Sequence, residues 1–144
     1  MPVGSELVIL KQYIFILYIR SVFEQSAVVW HSSITRGEQK DLERVQKVGL
    51  RIILREAYTT YDEALKLTGL DNLTARRTKL CLNFANKCTK NDKTLDMFPL
   101  NVNLVNTRNP ERFHVTPART DRLAGSAIPY MQRLLNANKK KNSN

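Results

Sequence analysis

Residues 35–56 constrain the fold of this chain most strongly, because they combine a helix-start signal with a two-sided helical pattern. Thr35 is followed three residues later by Glu38, the arrangement of a capping box, so a helix is predicted to begin there. With about 100° of rotation per residue, apolar residues fall on one side of this helix and basic residues on the opposite side. The predicted apolar seam contains Leu42, Val45, Gly49, Ile52 and Ile53. The basic stripe contains Lys40, Arg44, Lys47, Arg51 and Arg55, spread over about 80° of the helix surface.

The basic stripe indicates a helix that packs inward through its apolar seam and contacts a polyanion through its cations. The alternative is an ordinary solvated face, since lysine and arginine are common at exposed helix positions. The chain has a net charge of +10 and a sequence pI of about 9.9. Such an excess favours nucleic acid or another anionic surface as the partner, and it says nothing about the fold.

The periodicity of the whole chain predicts an all-α fold, a small helical domain of about four to five helices with a long irregular loop before the last helix. The first helix is predicted from residue 5 or 6 to about residue 30. Its first half is apolar nearly all round, which predicts burial on several sides, partly against protein outside this sequence. Gly49 in the second helix costs about 1 kcal/mol relative to alanine, so another helix backbone is expected to approach it closely.

The other helices have clear start and stop signals. A short third helix is predicted to begin at Thr60 and to stop at Gly69, and a fourth begins at Asp71 or Asn72. Ser126 is predicted to cap the last helix. The predicted regions are therefore a helical region over 1–90, an irregular basic loop over 91–125 with a short strand at 112–115, a terminal helix over 126–136 and a disordered basic tail over 137–144.

Catalytic patterns are missing from the sequence. It has no clustered carboxylates for divalent metals, no phosphate-binding loop, no nucleophile motif and no zinc-ligand spacing, so we predict no catalytic residue, no metal site, no cofactor and no enzymatic activity of this chain by itself. Cys81 and Cys88 lie two turns apart on one helix face, too far for a disulfide, which predicts two buried thiols in a reducing compartment. His114 does not complete a zinc set with them.

A membrane role is not predicted. Residues 7–19 are strongly apolar, but Lys11 and Gln12 interrupt the run and Arg20 closes it, so the run is too short and too polar to span a bilayer. No cleavage site for a signal peptide follows it. The expected location is intracellular, cytoplasmic or nuclear, and not secreted.

Two further groups of cations are candidate nucleic-acid-binding residues. The second group is Arg76, Arg77 and Lys79, and the third is Arg108, Arg112, Arg119 and Arg122. The third group is interleaved with Phe113 and His114 in the predicted loop, which suits single-stranded nucleic acid, where bases stack and phosphates pair. The alternative is a solvated loop whose arginines cap helix ends. The other aromatic residues, Trp30, Tyr58, Tyr61 and Phe98, are predicted to be core anchors.

The segment YIRSVFEQSAVVWHSSITRGEQKDLERVQKVGLRIIL resembles the region just after the polymerase domain of jockey-like non-LTR retrotransposon reverse transcriptases. The residues that carry this resemblance are Tyr18, Ile19, Arg20, Val22, Glu24, Val29, Trp30, His31, Ser32, Ser33, Leu42, Glu43, Val45, Gln46, Lys47, Arg51, Ile52 and Ile53. Three later blocks follow in family order and extend the resemblance over roughly residues 5–136. They begin at Tyr61, at Arg76 and at Thr107. The family's prolines correspond to Ser21 and Val28 here, which predicts a longer first helix.

The resemblance implies a helical thumb and C-terminal region of an RNA-directed DNA polymerase, without its catalytic domain. Its implied partner is RNA or an RNA–DNA hybrid, bound without sequence specificity, and the polymerase domain or another helical protein is a further implied partner. A different reading is a helical protein-interaction module, with the first helix and Gly49 as its interface. A third reading is a decayed copy of such an element with no activity.

Overall fold

The computed structural model describes residues 3–102 and 112–142, and within these ranges the chain is all-α, as predicted. The α-helices are α1 (Val3–Ile14), α2 (Ser21–Glu24), α3 (Ala27–Trp30), α4 (Arg36–Leu54), α5 (Tyr61–Thr68), α6 (Leu73–Cys88), α7 (Asp121–Ala124) and α8 (Ala127–Asn142). A π-helical turn (Phe15–Arg20) follows α1, and 3-10 turns occupy Arg55–Ala57 and Leu95–Met97. Within the described ranges no strand forms. The strand predicted at 112–115 is a single antiparallel bridge between Leu100 and Phe113.

The first helical segment is shorter than predicted. It continues from α1 through the π-helical turn into α2 and ends at Glu24, because Gln25 has an extended backbone with ψ of 124° and Ser26 has a φ of +52°. The Ser21 hydroxyl donates a hydrogen bond of 2.5 Å to the carbonyl of Leu17, one helical turn earlier. The prediction of one helix to about residue 30 is therefore wrong. Although Ser21 and Val28 stand where the family has prolines, the helix still ends, because Gln25 and Ser26 leave the helical conformation.

The described residues divide into two compact units, which lie within residues 1–27 and 34–77 and within residues 28–33 and 78–144. We call these unit 1 and unit 2. The boundary falls inside α6, whereas the sequence predicted a boundary at residue 90. The predicted disordered tail is also wrong for residues 137–142, since α8 continues through them to Asn142. Residues 143 and 144 lie outside the described ranges.

The core of unit 1 forms between α4, α5 and the π-helical turn. Its buried apolar residues are Phe15, Leu50, Ile53 and Ala64. The local signals for these helices are confirmed. Thr35 and Glu38 form the complete capping box of α4, the Thr60 hydroxyl accepts a hydrogen bond from the Glu63 amide, and Gly69 ends α5 with a φ of +66°.

The buried face of α4 is rotated from the predicted apolar seam. Ile53 is buried as predicted, but Val45 and Ile52 are 44% and 63% exposed, and the other buried residues are Gln46 and Leu50. Gln46 is buried because its amide group donates to the Tyr61 hydroxyl at 2.9 Å and to the Asp71 carbonyl at 3.2 Å. A periodicity that counts only apolar residues misses this face, because an amide whose NH₂ group has two hydrogen-bond acceptors takes a central position in it.

The core of unit 2 forms between α6, α8 and the segment that joins them. Its buried apolar residues are Cys81, Ala85, Cys88, Phe98, Phe113, Met131 and Leu135. Both cysteines are buried and neither is in a disulfide, which confirms their predicted burial. Two buried amides of α8 hold the joining segment. Gln132 accepts from the Thr116 amide at 2.8 Å and donates to the Met97 carbonyl at 2.8 Å. Asn136 bonds to both the N–H and the carbonyl of Phe113, each at 3.0 Å.

Candidate nucleic-acid interface

All five cations of the basic stripe are exposed, four on α4 and Arg55 in the 3-10 turn that follows it. They point away from the core of unit 1 because Gln46, Leu50 and Ile53 occupy the opposite side of α4. Among the described residues, no carboxylate forms an ion pair with any of the five cations. The ion pairs in that part of the chain join Glu24 to Arg20 and to Arg76. The stripe is therefore a row of positive charge without ion-pair partners among the described residues of unit 1.

Two cations of the stripe are held over aromatic rings. The Lys47 ammonium lies 4.9 Å from the ring centroid of Tyr61, and the Arg51 guanidinium carbon lies 5.3 Å from that of Tyr58. Both tyrosines are half-buried and pack against the unit 1 core, as predicted for core anchors. A cation–π contact at an exposed site is worth about 0.5–1 kcal/mol. These contacts restrict the two side chains before any ligand arrives.

The stripe ends in a strained backbone turn at Arg55. This residue has φ of +49° and ψ of −115°, and its N–H donates to the Arg51 carbonyl as the C-cap of α4. Side chains other than glycine adopt positive φ uncommonly, and such a residue costs on the order of 1–3 kcal/mol. The turn stops α4 and fixes where the row of cations ends.

A hydrogen-bond network lies beside the stripe, centred on the carboxylate of Glu43. The Leu73 amide at the start of α6 donates to both of its oxygens, at 3.2 and 3.1 Å, and the Tyr61 hydroxyl donates to it as well. Burial, and next the hydrogen bond to Glu43, raise the pKa of Tyr61 above its usual range. The phenol is therefore neutral, and Glu43 is engaged in holding α4, α5 and α6 together.

A cleft of about 430 Å³ lies next to this network. From α4, Arg36, Lys40 and Lys47 contribute three cations to its lining, and Gln39 contributes an amide. Asn72, just before α6, also lines it. Lys40 and Lys47 belong to the basic stripe, so the stripe and the cleft form one continuous surface of unit 1.

The second group of cations does not form a free basic patch. Arg77 is completely buried, so the prediction that it binds nucleic acid is wrong for this structure. Arg76 is half-exposed, and its Nε donates to Glu24 at 3.2 Å. Lys79 is exposed on α6. Adjacent residues of a helix point about 100° apart, which is why Arg76 and Arg77 have different environments although the sequence presents them as a pair.

The third group is exposed where the structure describes it, and so is His114, but Phe113 is not available for stacking. Arg112, Arg119 and Arg122 are exposed, whereas Arg108 lies outside the described residues. Phe113 is in the core of unit 2 with both of its backbone polar groups bonded to Asn136. The Arg112 guanidinium carbon lies 5.5 Å from the centroid of this ring. The expectation that Phe113 is an open platform for stacked bases is therefore wrong.

Among residues 3–102 and 112–142, no group of three or more His, Cys, Asp or Glu residues is arranged to hold a metal ion. None of the helices in those ranges combines the length and apolar character needed to cross a membrane. His31 is buried and its Nε2 lies 3.2 Å from the Thr78 hydroxyl, with its ring in an edge contact with Tyr130.

Comparisons with protein-family models, curated proteins and solved structures give no match to this chain.

Sequence reasoning missed the cleft residues Arg36, Gln39 and Asn72. Arg36 was detectable, because it precedes Lys40 by one turn and extends the basic stripe toward the start of α4. Gln39 and Asn72 gave no signal as lining residues, since the cleft forms only when the start of α6 packs beside α4. Asn72 was predicted as a helix start, and its side chain does accept from the Ala75 amide at 2.7 Å.

Proposed function

We propose that unit 1 binds the phosphate backbone of nucleic acid, without sequence specificity, through the basic stripe. The observation that carries this proposal is the exposure of five cations along one side of α4 and its C-cap, with no carboxylate partner among the described residues. The partner is RNA or an RNA–DNA hybrid. The residues involved point to phosphates rather than to bases, since lysine and arginine in a row neutralise a charged backbone and carry no sequence information by themselves.

The dimensions of the stripe fit a nucleic-acid strand. From Lys40 to Arg55 the stripe is about 22 Å long, at about 1.5 Å of rise per residue. One strand of B-form DNA places a phosphate about every 3.4 Å along the helix axis. The stripe is therefore long enough for each of its five cations to contact a different phosphate.

The family assignment is part of the same proposal. The residues that resemble the region after the polymerase domain of jockey-like reverse transcriptases include Lys47 and Arg51 of the stripe. In that setting the chain acts as the helical part of an RNA-directed DNA polymerase that grips template, primer or element RNA, and it performs no catalysis itself. The resemblance and the exposed stripe share these two residues and favour the same type of ligand.

The test is binding of the full chain to a fluorescein-labelled 20-nucleotide RNA and to the matching RNA–DNA hybrid, followed by fluorescence anisotropy. The triple variant Arg44→Glu, Lys47→Glu, Arg51→Glu is expected to bind at least about 100-fold more weakly at 50 mM salt. A matched variant, Lys66→Glu, Lys87→Glu, Lys90→Glu, carries the same charge change at three exposed residues outside the stripe. It is expected to retain most of the affinity. Equal losses of affinity in both variants would show that net charge alone determines binding, and they would refute the role of the stripe.

A second candidate function is a helical protein-interaction module that pairs with another copy of this chain. It is favoured by the exposure of large apolar side chains along α1 and the π-helical turn, where Leu10, Tyr13, Leu17 and Tyr18 are 57–73% exposed. The part of this reading that used Gly49 is wrong, because the ring of Phe15 from the same chain covers it. Self-association that disappears in the Ile14→Glu, Leu17→Glu variant, measured by analytical ultracentrifugation, would support this function. A monomeric wild-type chain would exclude it.

A further inference from the structure

The cleft beside the basic stripe indicates which form of nucleic acid is bound. We infer that it accepts one unpaired nucleotide of a single strand, so that single-stranded nucleic acid binds more tightly than duplex. This inference rests on the proposed backbone binding by the stripe and extends it to a defined position. The cleft is a surface depression of about 430 Å³ that is open to solvent.

The charge of the cleft selects an anionic ligand. Arg36, Lys40 and Lys47 line it with three positive charges, and Glu43 supplies one carboxylate, giving a local excess of two positive charges. The Glu43 carboxylate does not take the place of an anionic ligand beside these cations, because its oxygens already accept from the Leu73 amide and the Tyr61 hydroxyl. A phosphate group is the nucleic-acid component that matches this excess.

The remaining hydrogen-bonding capacity of the lining also fits a nucleotide. The Asn72 side-chain oxygen is engaged by the Ala75 amide, so its NH₂ group is left as a donor. Gln39 is half-buried and offers both a donor and an acceptor to the cleft. Donors therefore outnumber acceptors, and a phosphate with its adjacent sugar and base edge is rich in acceptors.

The position of the cleft determines the preference for a single strand. Lys40 and Lys47 belong to both the stripe and the cleft, so a strand that follows the stripe passes the mouth of the cleft. A base in a duplex is stacked and paired, and removing it costs a few kcal/mol. An unpaired nucleotide enters without that cost, so it gains the cleft contacts in addition to the stripe contacts.

The experiment compares a labelled 12-nucleotide single-stranded RNA with a blunt duplex of the same length, using the full chain and fluorescence anisotropy. Gln39→Trp fills the cleft without changing charge, and it is expected to lower single-strand affinity about tenfold, comparable to the loss of one hydrogen bond to a charged group. Duplex affinity should stay within about twofold of wild type. Val48→Trp is the matched control, since Val48 is an exposed residue of α4 outside the cleft lining.

A charge variant provides a second readout if tryptophan disturbs the fold, which circular dichroism of each variant checks. Asn72→Asp keeps an oxygen acceptor for the Ala75 amide and places a negative charge in the cleft outside the basic stripe. It is expected to lower single-strand affinity about tenfold by repelling the phosphate, with little change for the duplex. Equal effects of Asn72→Asp on both ligands, or no effect on the single strand, would overturn the inference.

The failure of the inference and that of the proposed function are distinguishable. The variant Arg44→Gln, Arg51→Gln, Arg55→Gln removes three stripe cations that do not line the cleft. It should weaken single-strand and duplex binding together. If it leaves both unchanged, the proposed function fails. If it weakens both while Gln39→Trp and Asn72→Asp do not separate single strand from duplex, only the cleft inference fails.

Discussion

The ring of Phe15 lies directly over the backbone of Gly49, where a β-carbon would come within 2.8 Å of Cδ2 and 2.9 Å of Cζ of that ring. Gly49, in the middle of α4, is therefore in direct contact with the Phe15 ring from the π-helical turn. This contact joins the first helical segment to the helix that carries the basic stripe. The predicted close approach at Gly49 is real, but a side chain makes it instead of a helix backbone.

The first prediction concerns this contact. Gly49→Ala is expected to lower the free energy of unfolding by about 1–3 kcal/mol, because the added methyl group overpacks against Phe15. Urea denaturation of the full chain measures it. Gly37→Ala is the control, since a β-carbon there meets only the Thr35 hydroxyl oxygen at an ordinary 3.7 Å. Gly37→Ala should leave stability unchanged or raise it by up to about 1 kcal/mol. A stabilising Gly49→Ala would contradict the contact.

The second prediction concerns the strained turn at the end of the stripe. Arg55→Gly is expected to be about 1 kcal/mol more stable than Arg55→Ala, because glycine adopts the positive φ of this position without steric cost. Both variants remove the same charge, so their difference isolates the backbone conformation. Thermal unfolding followed by circular dichroism measures it. Equal stability of the two variants would show that Arg55 is not strained in solution.

The third prediction concerns pH and the capping box of α4. The Thr35 amide donates to Glu38 at 2.7 Å and the Thr35 hydroxyl at 2.9 Å, and these bonds, the amide first, hold the pKa of Glu38 below its ordinary value. A lowered carboxyl pKa stabilises the folded state above the unfolded pKa, and this stability is lost as pH falls through the folded pKa. Wild type should therefore be more stable than Glu38→Gln at neutral pH.

This stability difference is expected to shrink as the pH falls below the unfolded glutamate pKa of about 4.3. Parallel urea titrations of the two proteins across acidic pH measure it. Thr35→Ala removes the hydroxyl but keeps the amide, so in that background the same comparison should show a smaller pH dependence. If the stability difference between wild type and Glu38→Gln grows toward acid pH, its pH dependence has the opposite sign to the one expected, and the role given to Glu38 is refuted.

The fourth prediction concerns unit 2. Asn136→Ala leaves the N–H and the carbonyl of Phe113 without partners in a buried site, which is expected to cost about 2–4 kcal/mol. Hydrogen exchange at the Phe113 amide, measured by NMR, should lose its protection. Asn138→Ala, at a half-buried residue of the same helix, is the control and should keep that protection. Retained protection in Asn136→Ala would contradict the described hydrogen bonds.

The features that the sequence predicted well are local. The capping box at Thr35, the helix start at Asn72 and the stop at Gly69 involve side chains and backbone groups within a few residues, so short patterns identify them. The exposure of the basic stripe was also predictable. It needs only the helical period and the high cost of burying several unpaired cations together.

The features that the sequence did not reveal depend on contacts between distant residues. Gln46, Gln132 and Asn136 are polar residues in the cores, because each satisfies polar groups brought there by other parts of the chain. Arg77 is buried beside a half-exposed Arg76, and no local pattern distinguishes two adjacent arginines. The cleft likewise needs the packing of α6 beside α4, which a one-dimensional pattern does not contain.

The central claim is that the basic stripe neutralises phosphates, and the salt dependence of binding tests it most directly. With the labelled single-stranded RNA, the slope of log K against log salt concentration should be about −3.5 if all five cations contact phosphates. The triple variant Arg44→Glu, Lys47→Glu, Arg51→Glu should reduce this slope by about two units, since about 0.7 is lost per contact. A triple variant with the wild-type slope and affinity would contradict the account.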